Sequence, residues 1–164
     1  MRFQQGVTLI ELLITLSIIV VSLTLATPSF QQLFAQYHCT IAINQLVDAL
    51  AFARDTAITR QIPTSICPTQ NGQNCSANWS HGYMVFVHEA NNNTPKPETI
   101  LALFPGVPES ASLSNSRTII TLQTNGQAPG SNSTFYYQTQ SSNLNVKATV
   151  ILNMLGRVAI EKID

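Results

Sequence analysis

Two cysteines and two histidines lie close together along the chain and are the side chains best suited to chemistry. Cys67 and Cys75 enclose a turn-rich heptapeptide, and His81 and His88 follow shortly after it. Thiolates and imidazoles are zinc ligands, but this spacing matches no standard zinc pattern. In an oxidising compartment, two thiols this close favour a disulfide that closes the loop. We therefore predict a disulfide between Cys67 and Cys75, with no metal and no cofactor.

Motifs for catalysis are missing from the sequence. It contains no G-x-S-x-G elbow, no H-E-x-x-H helix and no glycine-rich phosphate loop. His88 and Glu89 are adjacent, but consecutive side chains of a strand point to opposite faces, which argues against an acid–base pair. The sequence predicts a protein that is not an enzyme.

One carboxylate lies inside an almost purely apolar run near the amino terminus. Residues 7–27 carry a single charge, Glu11, and as a helix they span roughly 30 Å, the thickness of a bilayer core. Arg2 precedes this run and the next basic residue is Arg54, so the positive-inside rule predicts a cytoplasmic amino terminus. A carboxylate in lipid costs a few kcal/mol, which points to a functional role with a partner.

The short polar leader before this run helps to distinguish between two kinds of export signal. An ordinary signal peptide, with cleavage after Ala26, explains the hydrophobicity but not Glu11. Met1–Gly6 followed by V-T-L-I-E-L-L resembles the class III signal of type IV prepilins and type II secretion pseudopilins. This resemblance implies that a prepilin peptidase cuts between Gly6 and Val7 and methylates Val7. One departure is that these families usually have phenylalanine where this chain has Val7.

The same resemblance implies a role for Glu11 in assembly. In such subunits the carboxylate is thought to pair with the free amine of a neighbouring subunit, which here is the amine of Val7. Opposite charges that meet in a low-dielectric helix bundle offset much of each other's desolvation cost. We therefore expect Glu11 to set the register in which subunits assemble.

The rest of the chain reads as one long helix followed by strands. Apolar residues recur every three or four positions from Phe30 to Ile58, which predicts an amphipathic helix that ends near Gln61 and packs its aromatic stripe on a sheet. Cys39 is expected to be buried or to face another subunit. Short β-prone runs follow: Thr64–Cys67, Tyr83–Val87, Thr99–Phe104, Thr118–Gln123, Thr134–Thr139, Lys147–Leu152 and Arg157–Ile163. The predicted fold class is α+β, with a long amino-terminal helix on an antiparallel β-sheet domain.

Length and charge limit the remaining functions. The chain has 164 residues, of which 45% are hydrophobic and 10% charged, enough for one compact domain and one membrane segment. Beyond residue 28 the acidic and basic side chains balance. The soluble part therefore lacks the overall basic character typical of nucleic-acid-binding domains.

Three later stretches resemble the GspH/FimT family of minor pilins and pseudopilins. They are residues 41–60, the loop from Ile66 to Cys75, and the W-x-x-G-x-x-V-F pattern of Trp79–Phe86; the resemblance ends at Gly156-Arg157. Within that pattern we interpret Trp79 as an aromatic anchor and Gly82 as a turn that opens a strand. The resemblance implies a filament subunit near the tip that supports protein secretion or pilus assembly.

Some members of this family bind DNA through a carboxyl-terminal G-R-x-R-x-C pattern. Here the first arginine, Arg157, is present, Ala159 replaces the second, and the cysteine is missing. Phosphate binding weakens with each lost cation. A DNA-binding minor pilin for natural transformation, with Arg157 as its contact, is therefore the alternative function.

The predicted organisation has four segments. These are a prepilin leader (1–6), a transmembrane helix (7–28), an amphipathic helix entering the globular domain (29–61) and a periplasmic β domain (62–164). The expected partners are prepilin peptidase, other pilins or pseudopilins and the inner membrane, with nucleic acid as the alternative. We expect a single-pass inner-membrane protein that later joins a periplasmic pseudopilus or a surface pilus.

Overall fold

The computed structural model describes residues 7–88, 94–140 and 145–163. Contacts within the chain define two units, Met1–Phe34 and Ala35–Asp164. One helix, α1 (Leu9–Arg60), contributes residues to both. Gln61 follows it in the left-handed backbone region, with φ of 53°, and Pro63 cannot donate a helical hydrogen bond. The helix therefore ends where the sequence predicts. The predicted leader (1–6) and Glu89 lie outside the described residues.

In the first unit, α1 carries exposed apolar side chains and internally bonded hydroxyl groups. The hydroxyls of Thr15, Ser17 and Ser22 each donate to a backbone carbonyl three or four residues earlier. These polar groups therefore need no partner outside the helix. Within the part of the chain that the structure describes, no helix has a stretch that is both long and apolar enough to cross a membrane.

The described part of the second unit contains two antiparallel sheets of four strands each. The strands are β1 (Thr64–Pro68), β2 (Gly82–Val87), β3 (Ile100–Pro105), β4 (Ala111–Asn115), β5 (Ile120–Leu122), β6 (Ser133–Thr139), β7 (Lys147–Leu152) and β8 (Val158–Ile163). The first sheet has the order β3-β2-β1-β5 and the second β4-β6-β7-β8. The antiparallel prediction is confirmed, but β4 is a strand that the sequence analysis missed.

One face of α1 packs on the inner faces of both sheets and forms the core of the second unit. The helix residues of this core recur at helical spacing, and five of the nine are alanine: Ala35, Cys39, Ala42, Ile43, Leu46, Ala49, Leu50, Ala53 and Ala57. Ile66 and Val85 contribute from the first sheet, and Phe135 and Val150 from the second. Residues of α1 and of both sheets therefore belong to one hydrophobic core, in which the small alanine side chains leave room for the larger side chains of the strands.

The aromatic stripe does not pack as the sequence predicts. Phe30, Phe34 and Tyr37 are 59%, 59% and 61% exposed, so their predicted burial against a sheet is wrong. Among the described helix residues, burial begins at Ala35. Helical spacing identifies residues on a common face, but it does not reveal where along the helix the sheets begin.

Trp79 anchors the start of β2 in the core, as predicted. It opens a short 3-10 turn, Trp79–His81, and its ring packs edge-on against Phe135 of β6 with centroids 4.9 Å apart. Its indole N–H donates to the backbone carbonyl of Arg117 at 2.9 Å. The buried ring therefore contacts the second sheet while its polar atom remains satisfied.

Ser80 extends this connection to the edge of the second sheet. Its hydroxyl accepts from the backbone N–H of Leu113 at 3.0 Å and donates to the carbonyl of the same residue at 3.2 Å. Gly82 then begins β2 at a φ of 132°, a conformation that side-chain-bearing residues rarely adopt. The W-x-x-G pattern thus encodes the junction between the two sheets.

We expect Trp79→Ala to lower the free energy of unfolding by about 3–5 kcal/mol, because it removes a fully buried ring and leaves a cavity. Urea unfolding of the detergent-solubilised chain, followed by circular dichroism, measures this change. Tyr136→Ala is the matched control, since Tyr136 is 57% exposed and its loss should cost about 0.5 kcal/mol or less. Equal effects of the two substitutions would contradict the assignment of Trp79 as a core anchor.

Candidate functional site

The start of α1 and the residues just before it in sequence include those predicted to act in processing and assembly. Val7 and Glu11 are exposed, and Gly6 lies outside the described residues. The hydroxyl of Thr8 accepts a hydrogen bond from the backbone N–H of Glu11 at 3.4 Å, which makes Thr8 a helix cap. A carboxylate in the first helical turn also interacts favourably with the helix dipole. Thr8 and Glu11 form a T-x-x-E capping signal, which the sequence analysis missed.

The disulfide between Cys67 and Cys75 is confirmed, with their Cα atoms 5.6 Å apart. Thr69 organises the enclosed loop: its hydroxyl donates to the carbonyl of Asn74 at 2.8 Å and accepts from the N–H of Gly72 at 3.0 Å. Cys67 packs with Met84 and Phe86 in a small second core. The loop therefore covers the face of the first sheet that points away from α1.

The alternative, a metal site that uses both thiols, is excluded because the two sulfur atoms are bonded to each other. The histidines have separate contacts: His81 Nδ1 lies 3.1 Å from the Gln70 amide nitrogen, and His88 Nδ1 lies 3.0 Å from the Ser65 hydroxyl. Among residues 7–88, 94–140 and 145–163, no cluster of three or more His, Cys, Asp or Glu side chains is suited to a metal ion.

The turn between β7 and β8 holds the predicted DNA contact, Arg157. Arg157 is exposed, and its backbone N–H donates to the side chain of Asn153 at 2.9 Å. Gly156 precedes it at a φ of 70°, where a Cβ would overlap the carbonyl oxygen of Gly126. That carbonyl also accepts from Arg54 Nε at 3.1 Å. Glycine at position 156 is thus required by packing, whereas Arg157 is an exposed cation.

One buried cysteine and two buried tyrosines have raised pKa values. Cys39 is a free, buried cysteine. Burial was one of the two alternatives predicted for it, the other being contact with another subunit. Burial raises the pKa of its thiol to about 11. Burial, with a smaller contribution from the neighbouring Cys39, raises the pKa of Tyr137 to about 12. Burial first and Asp48 second raise the pKa of Tyr83. All three groups are therefore neutral at physiological pH.

Solved structures with this architecture are pilin-like. The type IV minor pilin FimU of Pseudomonas aeruginosa aligns with a TM-score of 0.60 and 17% identity, covering 76% of this chain and 91% of FimU. The minor pseudopilin EpsH of the Vibrio cholerae type 2 secretion system aligns with a TM-score of 0.54 and 10% identity, covering 74% and 94%. A comparison with curated proteins finds no match. The long helix and antiparallel sheets therefore define a pilin-like fold.

Two family models match the sequence at complementary positions. The model described as "Type II transport protein GspH" matches residues 42–156, and the "Prokaryotic N-terminal methylation motif" matches residues 1–27. The chain belongs to the GspH family. It is accordingly a minor pilin or pseudopilin, and its methylation motif implies processing by prepilin peptidase. Membership also implies an inner-membrane anchor, a periplasmic globular domain and assembly with other pilins or pseudopilins.

We expect the double substitution of Cys67 and Cys75 by alanine to lower the free energy of unfolding by roughly 2–3 kcal/mol, because the open loop regains conformational freedom in the unfolded chain. Urea unfolding with and without a thiol reductant measures the effect. Reductant should bring the unsubstituted chain to the stability of the double variant and leave the variant unchanged. A reductant effect of equal size on both would show that this disulfide is not the stabilising bond.

Proposed function

We propose that this chain is a structural subunit near the tip of a pseudopilus or type IV pilus, where it supports protein secretion or pilus assembly without catalysis. The observation that carries this proposal is the joining, in one chain, of a methylation motif over residues 1–27 and a GspH region over residues 42–156. The first supplies processing and anchorage, and the second supplies a folded surface for specific partners.

Residues 7–28 act as a single-pass anchor, with the leader in the cytoplasm and the globular domain in the periplasm. The exposed apolar side chains between Val7 and Leu23 support the assignment, as do the hydroxyls of Thr15, Ser17 and Ser22, which bond within the helix. In lipid, a hydroxyl bonded to its own helix costs far less than an unsatisfied one. Arg2 sets the cytoplasmic orientation.

Glu11 acts as the register of assembly by pairing with the methylated amine of Val7 on a neighbouring subunit. No lysine or arginine lies between Arg2 and Arg54, so the helix around Glu11 supplies no basic side chain of its own. Cleavage after Gly6 creates a new cation, the Val7 amine, only four residues from Glu11. Each of these two charges is costly in an apolar bundle, and their pairing offsets much of that cost.

Cleavage after Gly6 is tested by intact mass and amino-terminal sequencing of the chain purified from its native membrane. We expect a mature chain that begins at Val7 and carries one added methyl group. Gly6→Ala should leave the leader in place, since it removes the residue at which the peptidase cuts. A mature chain that begins at Thr27 would instead establish an ordinary signal peptide and overturn the anchor, the register and the filament assignment.

The role of Glu11 is tested by Glu11→Gln, which keeps the shape of the side chain and removes its charge. We expect normal cleavage but a loss of at least about tenfold in the amount of subunit recovered with sheared filaments, as expected when a buried charge loses its partner. Ser17→Ala is the matched control, because the Ser17 hydroxyl donates to the Leu13 carbonyl of its own helix. Equal recovery of both variants would remove Glu11 from assembly.

DNA binding is the second candidate function, and the exposure of Arg157 in the β7–β8 turn favours it. Arg157 occupies the first arginine position of the family's DNA-binding pattern. Ala159, at the second position, carries no charge, and Glu161 follows on the same strand. One cation, followed four residues later by a carboxylate, supports only weak, salt-sensitive phosphate contact.

A gel-shift assay of the detergent-solubilised chain with duplex DNA at low salt tests this candidate. If DNA is a ligand, micromolar binding should fall in Arg157→Ala, and the slope of log affinity against log salt should decrease by about one. Arg60→Ala is the control, since Arg60 is an exposed arginine at the end of α1. No shift at low salt, or equal losses in both variants, would remove site-specific DNA binding.

A further inference from the structure

The chain contains two asparagine-glycine pairs, Asn71-Gly72 and Asn125-Gly126. Asparagine is one of the chemically labile residues of proteins. In this dipeptide the backbone nitrogen of glycine can attack the side-chain amide carbon of asparagine, because glycine has no side chain to obstruct the five-membered ring that forms. The reaction needs no enzyme and no co-reactant other than water. The surroundings of each pair therefore decide whether it reacts.

Both asparagines fold their side chains over their own backbone. Asn71 Oδ1 accepts from the N–H of Gln73 at 3.0 Å, and Asn125 Oδ1 accepts from the N–H of Gln127 at 3.0 Å. A side-chain oxygen bonded to the N–H two residues later forms an Asx-turn, which brings the amide carbon beside the intervening glycine nitrogen. Proximity of the reacting atoms favours cyclisation, but it does not distinguish the two pairs.

Asn71 has a second backbone donor on its amide oxygen. The N–H of Asn74 donates to Asn71 Oδ1 at 3.0 Å, in addition to the N–H of Gln73. Attack on the amide carbon drives negative charge onto this oxygen. Two backbone N–H groups that already point at it stabilise that charge, as the donors of an oxyanion hole do. The disulfide loop therefore favours the transition state of cyclisation at Asn71.

The amide nitrogen, which is the leaving group, is also held differently in the two pairs. Asn125 Nδ2 donates to Gln127 Oε1 at 3.1 Å, so both ends of this amide are bonded to Gln127. Asn71 is exposed, and the side-chain hydrogen bonds that it makes to other described residues both go to its oxygen. The nitrogen of Asn71 can therefore take up a proton from water and depart as ammonia.

The attacking nitrogen is held more firmly at Gly126 than at Gly72. Gly126 is buried, its N–H donates to the carbonyl of Gln123 at 2.7 Å, and its own carbonyl accepts from Arg54 Nε. Gly72 is partly exposed, and its N–H donates to the Thr69 hydroxyl at 3.0 Å. Cyclisation must turn the glycine peptide and remove this proton. Close packing resists both changes at Gly126, whereas water reaches Gly72.

We propose that Asn71 is a site of spontaneous deamidation in the folded chain, and that the fold protects Asn125 from the same reaction. The Gly72 nitrogen forms a bond to Asn71 Cγ, and the Cγ–Nδ2 bond breaks. The proton lost by Gly72 passes through water to the departing ammonia. Water then opens the cyclic imide at either of its carbonyls, which gives aspartate or isoaspartate at position 71. No atom is oxidised or reduced.

The modification gives the disulfide loop a charge. Residues 67–75 contain no acidic or basic side chain, and the new carboxylate is negative at neutral pH. Aspartate keeps the two N–H donors of the loop, and these hydrogen bonds become charge-assisted. Isoaspartate lengthens the main chain by a methylene group, which displaces the bond between Gly72 and Thr69. The reaction depends on neither cleavage after Gly6 nor assembly, so it goes beyond the proposed filament role.

Mass spectrometry of the detergent-solubilised full-length chain, incubated in mildly alkaline buffer, tests this proposal. Deamidation exchanges an amino group for a hydroxyl group, and peptide fragmentation assigns the resulting mass gain to a residue. In the folded chain we expect Asn71 to react at least about tenfold faster than Asn125, because only Asn71 combines two oxyanion donors with an open leaving group. In urea, with the disulfide intact, the two asparagines should react at similar rates.

Asn125 is the matched control within the same chain, since both pairs lie in the sequence N-G-Q. Equal rates in the folded chain would overturn the proposal. So would a folded chain whose Asn71 stays intact over the time in which urea-unfolded chain is converted. The same rate ratio in urea would assign the difference to local sequence rather than to the fold, which also contradicts the proposal.

Asn71→Gln is a second control, because the longer side chain must close a less favourable six-membered ring. We expect this variant to lose the mass gain of the disulfide loop while Asn125 reacts as before. A loop that gains mass at the unsubstituted rate in this variant would assign the reaction to another amide and overturn the site.

Discussion

The structure of the globular unit depends on the close packing of one helix face against two sheets. Five of the nine core residues on that face are alanine, and such small side chains leave room for the larger side chains of the strands. The inner face of each sheet is buried against α1, whereas the outer face of the first sheet has its own small core beneath the disulfide loop. A longer side chain at the fully buried Ala49 or Ala53 would overpack this shared core.

Two local junctions then fix how the sheets meet around the helix. Trp79 and Ser80 join the start of β2 to the second sheet through ring packing and hydrogen bonds. Arg54, Gly126 and Gly156 bring α1 and two turns together around a single carbonyl oxygen. The junction at Trp79 and Ser80 lies in the W-x-x-G pattern, and the junction around the Gly126 carbonyl includes Gly156, the last residue that the family model matches. The W-x-x-G pattern and Gly156 thus both have an architectural explanation.

Much of this could be predicted from sequence, because periodicity and turn residues report on local structure. The end of α1 near Gln61 and most strands were predictable on that basis. β4 was not, since Ala-Ser-Leu-Ser-Asn has little strand propensity and becomes a strand through its pairing with β6. The exposure of Phe30 and Phe34 was equally hidden, because spacing along a helix does not reveal the extent of its neighbours. The cap at the start of α1 could have been predicted, because Thr8 followed three residues later by Glu11 is a sequence signature of a capped first turn.

The burial of Cys39 has a consequence for a chain with three cysteines in an oxidising compartment. Disulfide exchange requires a thiolate, and with a pKa of about 11 only about one Cys39 thiol in ten thousand is ionised at pH 7. The side chain is also fully shielded from solvent. Once the core has formed, Cys39 cannot attack the Cys67–Cys75 bond, so folding itself protects the correct pairing against scrambling. An error in pairing must therefore arise before the core around Cys39 has formed.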